Sequence, residues 1–204
     1  TGINCVLGRE NFDGLDELFR YAAERGCNEI EVLRIKPAGR GRAAYEKNKT
    51  TPQQNIQLFP TLERLSDKHN MPAKIDCSFI PMLCYHRPPL HLLESMCTLG
   101  CEAGNMLAGI TAAGEVSGCS FLSPANIRVF DLAENWSKSP VFTAYRRWPA
   151  TAAEPCRSCE YLDLCKGGCH AVSSVICGTI TAPDPDCPFV REFHNKGGSL
   201  PANH

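Results

Sequence analysis

Cys156-Arg157-Ser158-Cys159-Glu160-Tyr161-Leu162-Asp163-Leu164-Cys165-Lys166-Gly167-Gly168-Cys169 sets four cysteines at intervals of two, five and three residues. Such short arms bring neighbouring thiolates onto one centre at low loop-closure cost. Working outward, Cys187 follows in Asp184-Pro185-Asp186-Cys187-Pro188. Upstream stand Cys97-x3-Cys101, then twelve residues, Gly114, four residues and Cys119. These eight cysteines suffice for two complete four-thiolate sites, and tetrahedral sulfur sites hold zinc or an iron–sulfur cluster. Spacing alone leaves both metals open. Disulfides fit poorly, because the chain has 13 cysteines, an odd number, and disulfide-dense scaffolds are usually far smaller than 204 residues.

The rest of the composition narrows the class. A formal charge of −1 argues against a nucleic-acid binder held by phosphate contacts. No apolar run approaches the roughly 18 residues of a membrane span, and 43% hydrophobic residues argue against disorder. The cysteines divide the chain, four scattered over residues 1–90 and nine over 91–204. The first region reads as α/β. Gly2–Leu7, Glu29–Ile35 and Ala73–Ile80 read as strands. Asp13 is placed to cap a helix with apolar positions Leu15, Leu18, Phe19, Ala22 and Ala23, ended by Gly26. Thr51-Pro52-Gln53-Gln54 is a capping box opening a helix to about His69, which Pro60 is expected to kink or break. The charged stretch Pro37–Lys49 reads as a solvated loop. Three parallel strands leave an open edge, so further strands are expected ahead of Thr1. In the second region Ile110–Phe121 reads as a hairpin about Gly114, and Leu132–Arg147 as short helices broken at Pro140.

The pattern C-x12-G-x4-C, gap, C-x2-C-x5-C-x3-C, gap, C resembles the SPASM domain of radical SAM enzymes. Glu154-Pro155-Cys156-Arg157-Ser158-Cys159 and Gly167-Gly168-Cys169 are most similar to the branch acting in pyrroloquinoline quinone biosynthesis, although that branch often carries aspartate where Cys165 stands. The segments Ile3–Leu7 and Arg34–Gly41 are similar to the later strands of the radical SAM partial barrel. The resemblance implies a partial β/α, TIM-like barrel over 1–90 followed by a small irregular cysteine-rich SPASM domain over 91–204. It implies a first auxiliary 4Fe-4S cluster on Cys97, Cys101, Cys119 and Cys169, and a second on Cys156, Cys159, Cys165 and Cys187. The family's S-adenosylmethionine-cleaving cluster needs C-x3-C-x2-C. Here glycine at 104 and valine at 172 break both possible copies, so that third 4Fe-4S cluster and S-adenosylmethionine belong to a full-length enzyme.

By period-two alternation Arg34 shares a face with Ile30 and Val32, and a charge there needs an anionic partner. The S-adenosylmethionine carboxylate and a structural ion pair are the two candidates; Asn4 is a second candidate for the same pocket. Cys5, Cys27 and Cys77 read as core filling, Cys84 and Cys177 as loop-proximal, and His170, Trp136 and Trp148 as structural. His86, His91 and His194 receive no role. The expected protein is a cytoplasmic maturase that abstracts hydrogen from a ribosomally made peptide or cofactor precursor. Its expected partners are the peptide, a peptide-chaperone protein and a reductant such as flavodoxin or ferredoxin, with neither nucleic acid nor membrane. The alternative is a non-catalytic interaction module stabilised by zinc.

Overall fold

The computed structural model describes residues 1–95 and 98–197. Strands β1 (Gly2–Leu7) and β2 (Glu29–Arg34) run parallel, from Gly2 opposite Glu29 to Leu7 opposite Arg34. Between them α1 (Leu15–Glu24) buries Leu15, Phe19 and Ala22 and gives way to Gly26 at φ 69°. Asp13 does not cap it: the N-cap is Gly14, with no side-chain bond. Asn11 organises that turn instead, its Oδ1 accepting from the Gly8 N–H at 2.8 Å and its Nδ2 donating to the Val6 carbonyl at 3.0 Å.

The charged stretch after β2 is a helix, α2 (Gly41–Asn48), and not a loop. A single apolar anchor, Tyr45, is buried while the charges around it face water. Next comes α3 (Pro52–His69), where Thr51 and Gln54 form the reciprocal capping box. Pro60 does not break it. The proline lacks the N–H that would bond the Ile56 carbonyl, and His86 Nε2 sits 2.8 Å from that oxygen in its place. We expect Thr51→Ala to cost about 1 kcal/mol, read as a lowered urea midpoint with an unchanged slope; no change would show that the cap is redundant.

β3 is only Ala73–Ile75, joining β2 in parallel to give the order β1-β2-β3. The expected strand to Ile80 stops early because the Asp76 carboxylate accepts from the Ser78 N–H at 2.8 Å. That cap starts a 3-10 turn, Cys77–Phe79, which runs into α4 (Ile80–Cys84). One face of the sheet, with Ile30 and Val32 fully buried, packs with Leu7 on α1 and α3 through Phe19, Leu58, Leu62 and Leu65.

The cysteine-rich part is built from short pieces. After α5 (Leu90–Ser95), strands β4 (Gly109–Ile110) and β5 (Glu115–Ser117) form the expected hairpin around Gly114. A third antiparallel strand, β6 (Ile127–Arg128), completes a small sheet. Helices α6 (Leu132–Asn135) and α7 (Pro140–Arg146) are separated at Pro140, with Ser139 as the cap. There follow α8 (Trp148–Thr151), α9 (Leu162–Cys165), α10 (His170–Ile176) and α11 (Pro188–Asn195). Val116, Ile127 and Phe142 form a core of their own, with Trp136 packed against it. Among the described residues no helix is long and apolar enough to cross a membrane.

Candidate metal centres

The loop before α9, α9 itself and the start of α11 line a cavity with about 410 Å³ of atom-free space, open solvent at its mouth included. Cys156, Cys159, Cys165 and Cys187, the expected second set, all line it. So does Cys84, from the end of α4. Backbone N–H groups aim at three of these sulfurs: Tyr161 at Cys159, Gly168 at Cys165 and Val190 at Cys187. Such bonds favour a thiolate. Burial works against it, pushing the Cys156 thiol up to about 12 and the Cys187 thiol well above its ordinary value. A metal ion bound here would have to displace the thiol protons.

A second group of sulfurs gathers between the hairpin and α10. The Cys101 sulfur accepts from the Ala103 and His170 N–H groups, which sets it beside Cys169. Cys77, Cys101, Cys119 and Cys169 are electrostatic neighbours: Cys169 and Cys119 raise the Cys77 thiol, and Cys169 and Cys77 raise that of Cys101. Burial lifts Cys101 to about 12. Three of the expected first set thus come together; the fourth, Cys97, lies outside the described residues. Cys77 was expected in the core, but it is exposed at the start of the 3-10 turn, because Asp76 ends β3 just before it. Among the described residues no three Cys, His, Asp or Glu side chains gather tightly enough for one metal ion.

The two groups are held by one buried charge network. Arg34 grips Asp184 with both terminal nitrogens, at 2.5 and 3.0 Å, and Asp186 at 2.9 Å, and donates to the Ser78 carbonyl at 2.9 Å. Its side chain is 4% exposed and that of Asp184 0%. Asp184 also accepts from the Cys169 and Asp186 N–H groups, both at 3.0 Å. Tyr45 and Lys49 complete the shell around Asp186 at 2.8 and 3.1 Å. Arg34, Lys49 and Tyr45 together hold the Asp186 carboxyl below its ordinary value against the opposing effect of burial.

The charge on Arg34 is therefore met by the ion pair and not by an open pocket for a ligand carboxylate. Asn4 does not join it. Asn4 is exposed and opposite Glu31, whereas Arg34 lies on the face of Ile30 and Val32, so the two residues occupy opposite faces of the sheet.

Cys84, Asp184 and Asp186 were not assigned to the site from sequence. For the aspartates a signal existed in Asp184-Pro185-Asp186-Cys187, two carboxylates beside an expected ligand cysteine; for Cys84 none did. His170 is structural as expected, buried between Tyr145 and Trp148 with ring centroids 5.6 and 5.5 Å away, and burial lowers it to about 4. Trp148 is likewise buried.

Comparison with known proteins follows the same lines. No family model matches the chain. The mycofactocin maturase of Mycolicibacterium smegmatis is 28% identical over 192 residues, covering 91% of this chain and 46% of that protein. The PqqA peptide cyclase of Gluconobacter oxydans is 26% identical over 202 residues, covering 95% and 52%. Among solved structures, Streptococcus suis SuiB bound to S-adenosylmethionine superposes with a TM-score of 0.65 at 19% identity, covering 91% of this chain and 44% of that one. Native anSMEcpe with bound AdoMet gives 0.60 at 15%, covering 95% and 53%. The chain spans about half the length of the relatives it matches, and the structural likeness establishes a shared fold.

Proposed function

The chain is related to radical SAM peptide maturases, and on that premise we propose that it is the C-terminal part of one. In this reading residues 1–90 close the partial barrel and residues 91–204 are the SPASM domain. Two auxiliary 4Fe-4S clusters would be held, the first by Cys97, Cys101, Cys119 and Cys169, the second by Cys156, Cys159, Cys165 and Cys187. The observation that carries the reading is the cavity onto which four cysteines from three segments converge, with backbone N–H groups aimed at three of the sulfurs.

Zinc is the weaker occupant. With Zn–S near 2.3 Å, four tetrahedral sulfurs sit only about 3.8 Å apart. Among the described residues no three ligand-type side chains form one such site. The names of the relatives, a maturase and a peptide cyclase, favour the polynuclear cluster.

When bound, auxiliary clusters supply one-electron transfer or hold substrate. The chain's own residues do three things toward that. The cysteines fix position, and the backbone N–H groups at Cys101, Cys159, Cys165 and Cys187 withdraw charge from sulfur and so set potential. The Arg34–Asp184–Asp186 network locks the two ligand-bearing loops to the sheet. The full enzyme would abstract hydrogen from a ribosomally made peptide or cofactor precursor. The names of the relatives, a maturase and a peptide cyclase, support a peptide substrate. A peptide-chaperone protein, a flavodoxin or ferredoxin reductant and a cytoplasmic location complete the proposal.

The test is anaerobic reconstitution of the chain, followed by iron, sulfide and zinc quantitation with an absorption spectrum. Two clusters give about eight irons and eight sulfides per chain and broad brown absorption. About two zincs and no chromophore would establish the interaction module instead.

A further inference from the structure

Five sulfurs, not four, line the cavity of the second centre. Four belong to the loop before α9, α9 and the loop before α11. The fifth, Cys84, arrives from the other half of the chain at the end of α4 and is 2% exposed. It belongs to a small core with Ile80, Leu83 and Tyr161, against which Cys159 and Cys165 pack. The thiols of Cys84 and Cys165 interact directly. The Tyr161 hydroxyl, the other side-chain donor at the cavity wall, is already given to the Pro88 carbonyl at 2.8 Å. Cys84 therefore holds the one side-chain hydrogen among the lining residues that remains to be directed at a sulfur.

We propose that Cys84 is a tuning residue of the second centre: its S–H donates to the Cys165 thiolate once that sulfur binds iron, and Cys84 itself is not a ligand. The assignment rests on the iron–sulfur reading of the cavity. The four other cysteines form a complete set on short arms, so a fifth sulfur has no coordination position to fill. A donor to a ligand sulfur draws charge from it and makes the centre easier to reduce. Cys84 thereby links the potential of this centre to the position of α4, an element of the sheet-bearing half.

Potentiometric titration of the reconstituted chain, followed by electron paramagnetic resonance, tests this on Cys84→Val and Cys84→Ser. Valine keeps the site filled and apolar and deletes the donor; serine keeps a donor. The expected result is unchanged iron and sulfide for both variants, a more negative potential for the second centre in Cys84→Val, and recovery toward the parent value in Cys84→Ser. Loss of about four irons in Cys84→Val overturns the assignment by making Cys84 a ligand. An unchanged or more positive potential also overturns it, since packing defects and admitted water do not push the potential down. A parent chain loaded with zinc and lacking any reducible centre sinks the iron–sulfur reading itself, a result distinct from either.

Discussion

Asp184→Ala is expected to destabilise the chain by about 3–5 kcal/mol, because it leaves the buried Arg34 guanidinium without its main partner. For a chain of this size that corresponds to a fall in melting temperature of roughly 6–20 °C. The same change strips the acceptor from the Cys169 and Asp186 N–H groups, so iron retention in both centres should fall with it. Pairing Arg34→Met with Asp184→Leu restores most of the stability, since apolar replacement of a buried ion pair is commonly neutral. Asp186 keeps Lys49 and Tyr45 in that double variant. Thermal melts of the parent, single and double variants decide it. A single variant within 1 kcal/mol of the parent would show that the network is ornamental to the fold.

The second large effect concerns the division of the sulfurs. Cys187→Ala and Cys156→Ala should each remove about four irons and leave the other centre, whereas Cys101→Ala and Cys119→Ala should remove the complementary four. Cys27→Ala, which changes a residue packed against the sheet core, should remove none. Iron and sulfide counts on the five variants read this directly. If every ligand variant emptied both centres, the two sites would have to be one cooperative unit. If Cys187→Ala left all iron in place, the second set would be wrong.

Local chemistry was legible in the sequence and distant partnership was not. The Thr51 to Gln54 capping box lies within four residues and formed as written. The strand–helix–strand alternation and the Gly114 hairpin are equally local, and both formed. The intervals alone left the division of the sulfurs open; the family resemblance implied the set Cys156, Cys159, Cys165 and Cys187, and these four line one cavity. The break expected at Pro60 does not occur because His86, thirty residues on from Ile56, takes up the carbonyl that the proline leaves open. The helix Gly41–Asn48 was misread because its charges face water and its one anchor, Tyr45, bonds a carboxylate 141 positions away. Asn4 and Arg34 were grouped because their opposite facing follows from the β1–β2 register, which neither strand encodes alone. Cys84 and Cys77 look like ordinary apolar cysteines until tertiary structure sets each beside a sulfur group.

The 150 residues that separate Arg34 from Asp184 also bear on how the polypeptide is made. During synthesis the sheet-bearing half leaves the ribosome ahead of the cysteine-rich half, and Arg34 lacks these two carboxylates until Asp184 and Asp186 emerge. Translation at 5–20 residues per second puts that wait at roughly 8–30 seconds. A nascent chain halted at residue 90 would carry β1, β2 and β3 and still be unable to bury the end of β2. The loop that ends at Cys187 is thus a latch. It arrives about 150 residues after the arginine it neutralises and brings the Cys187 sulfur into the second cavity in the same movement.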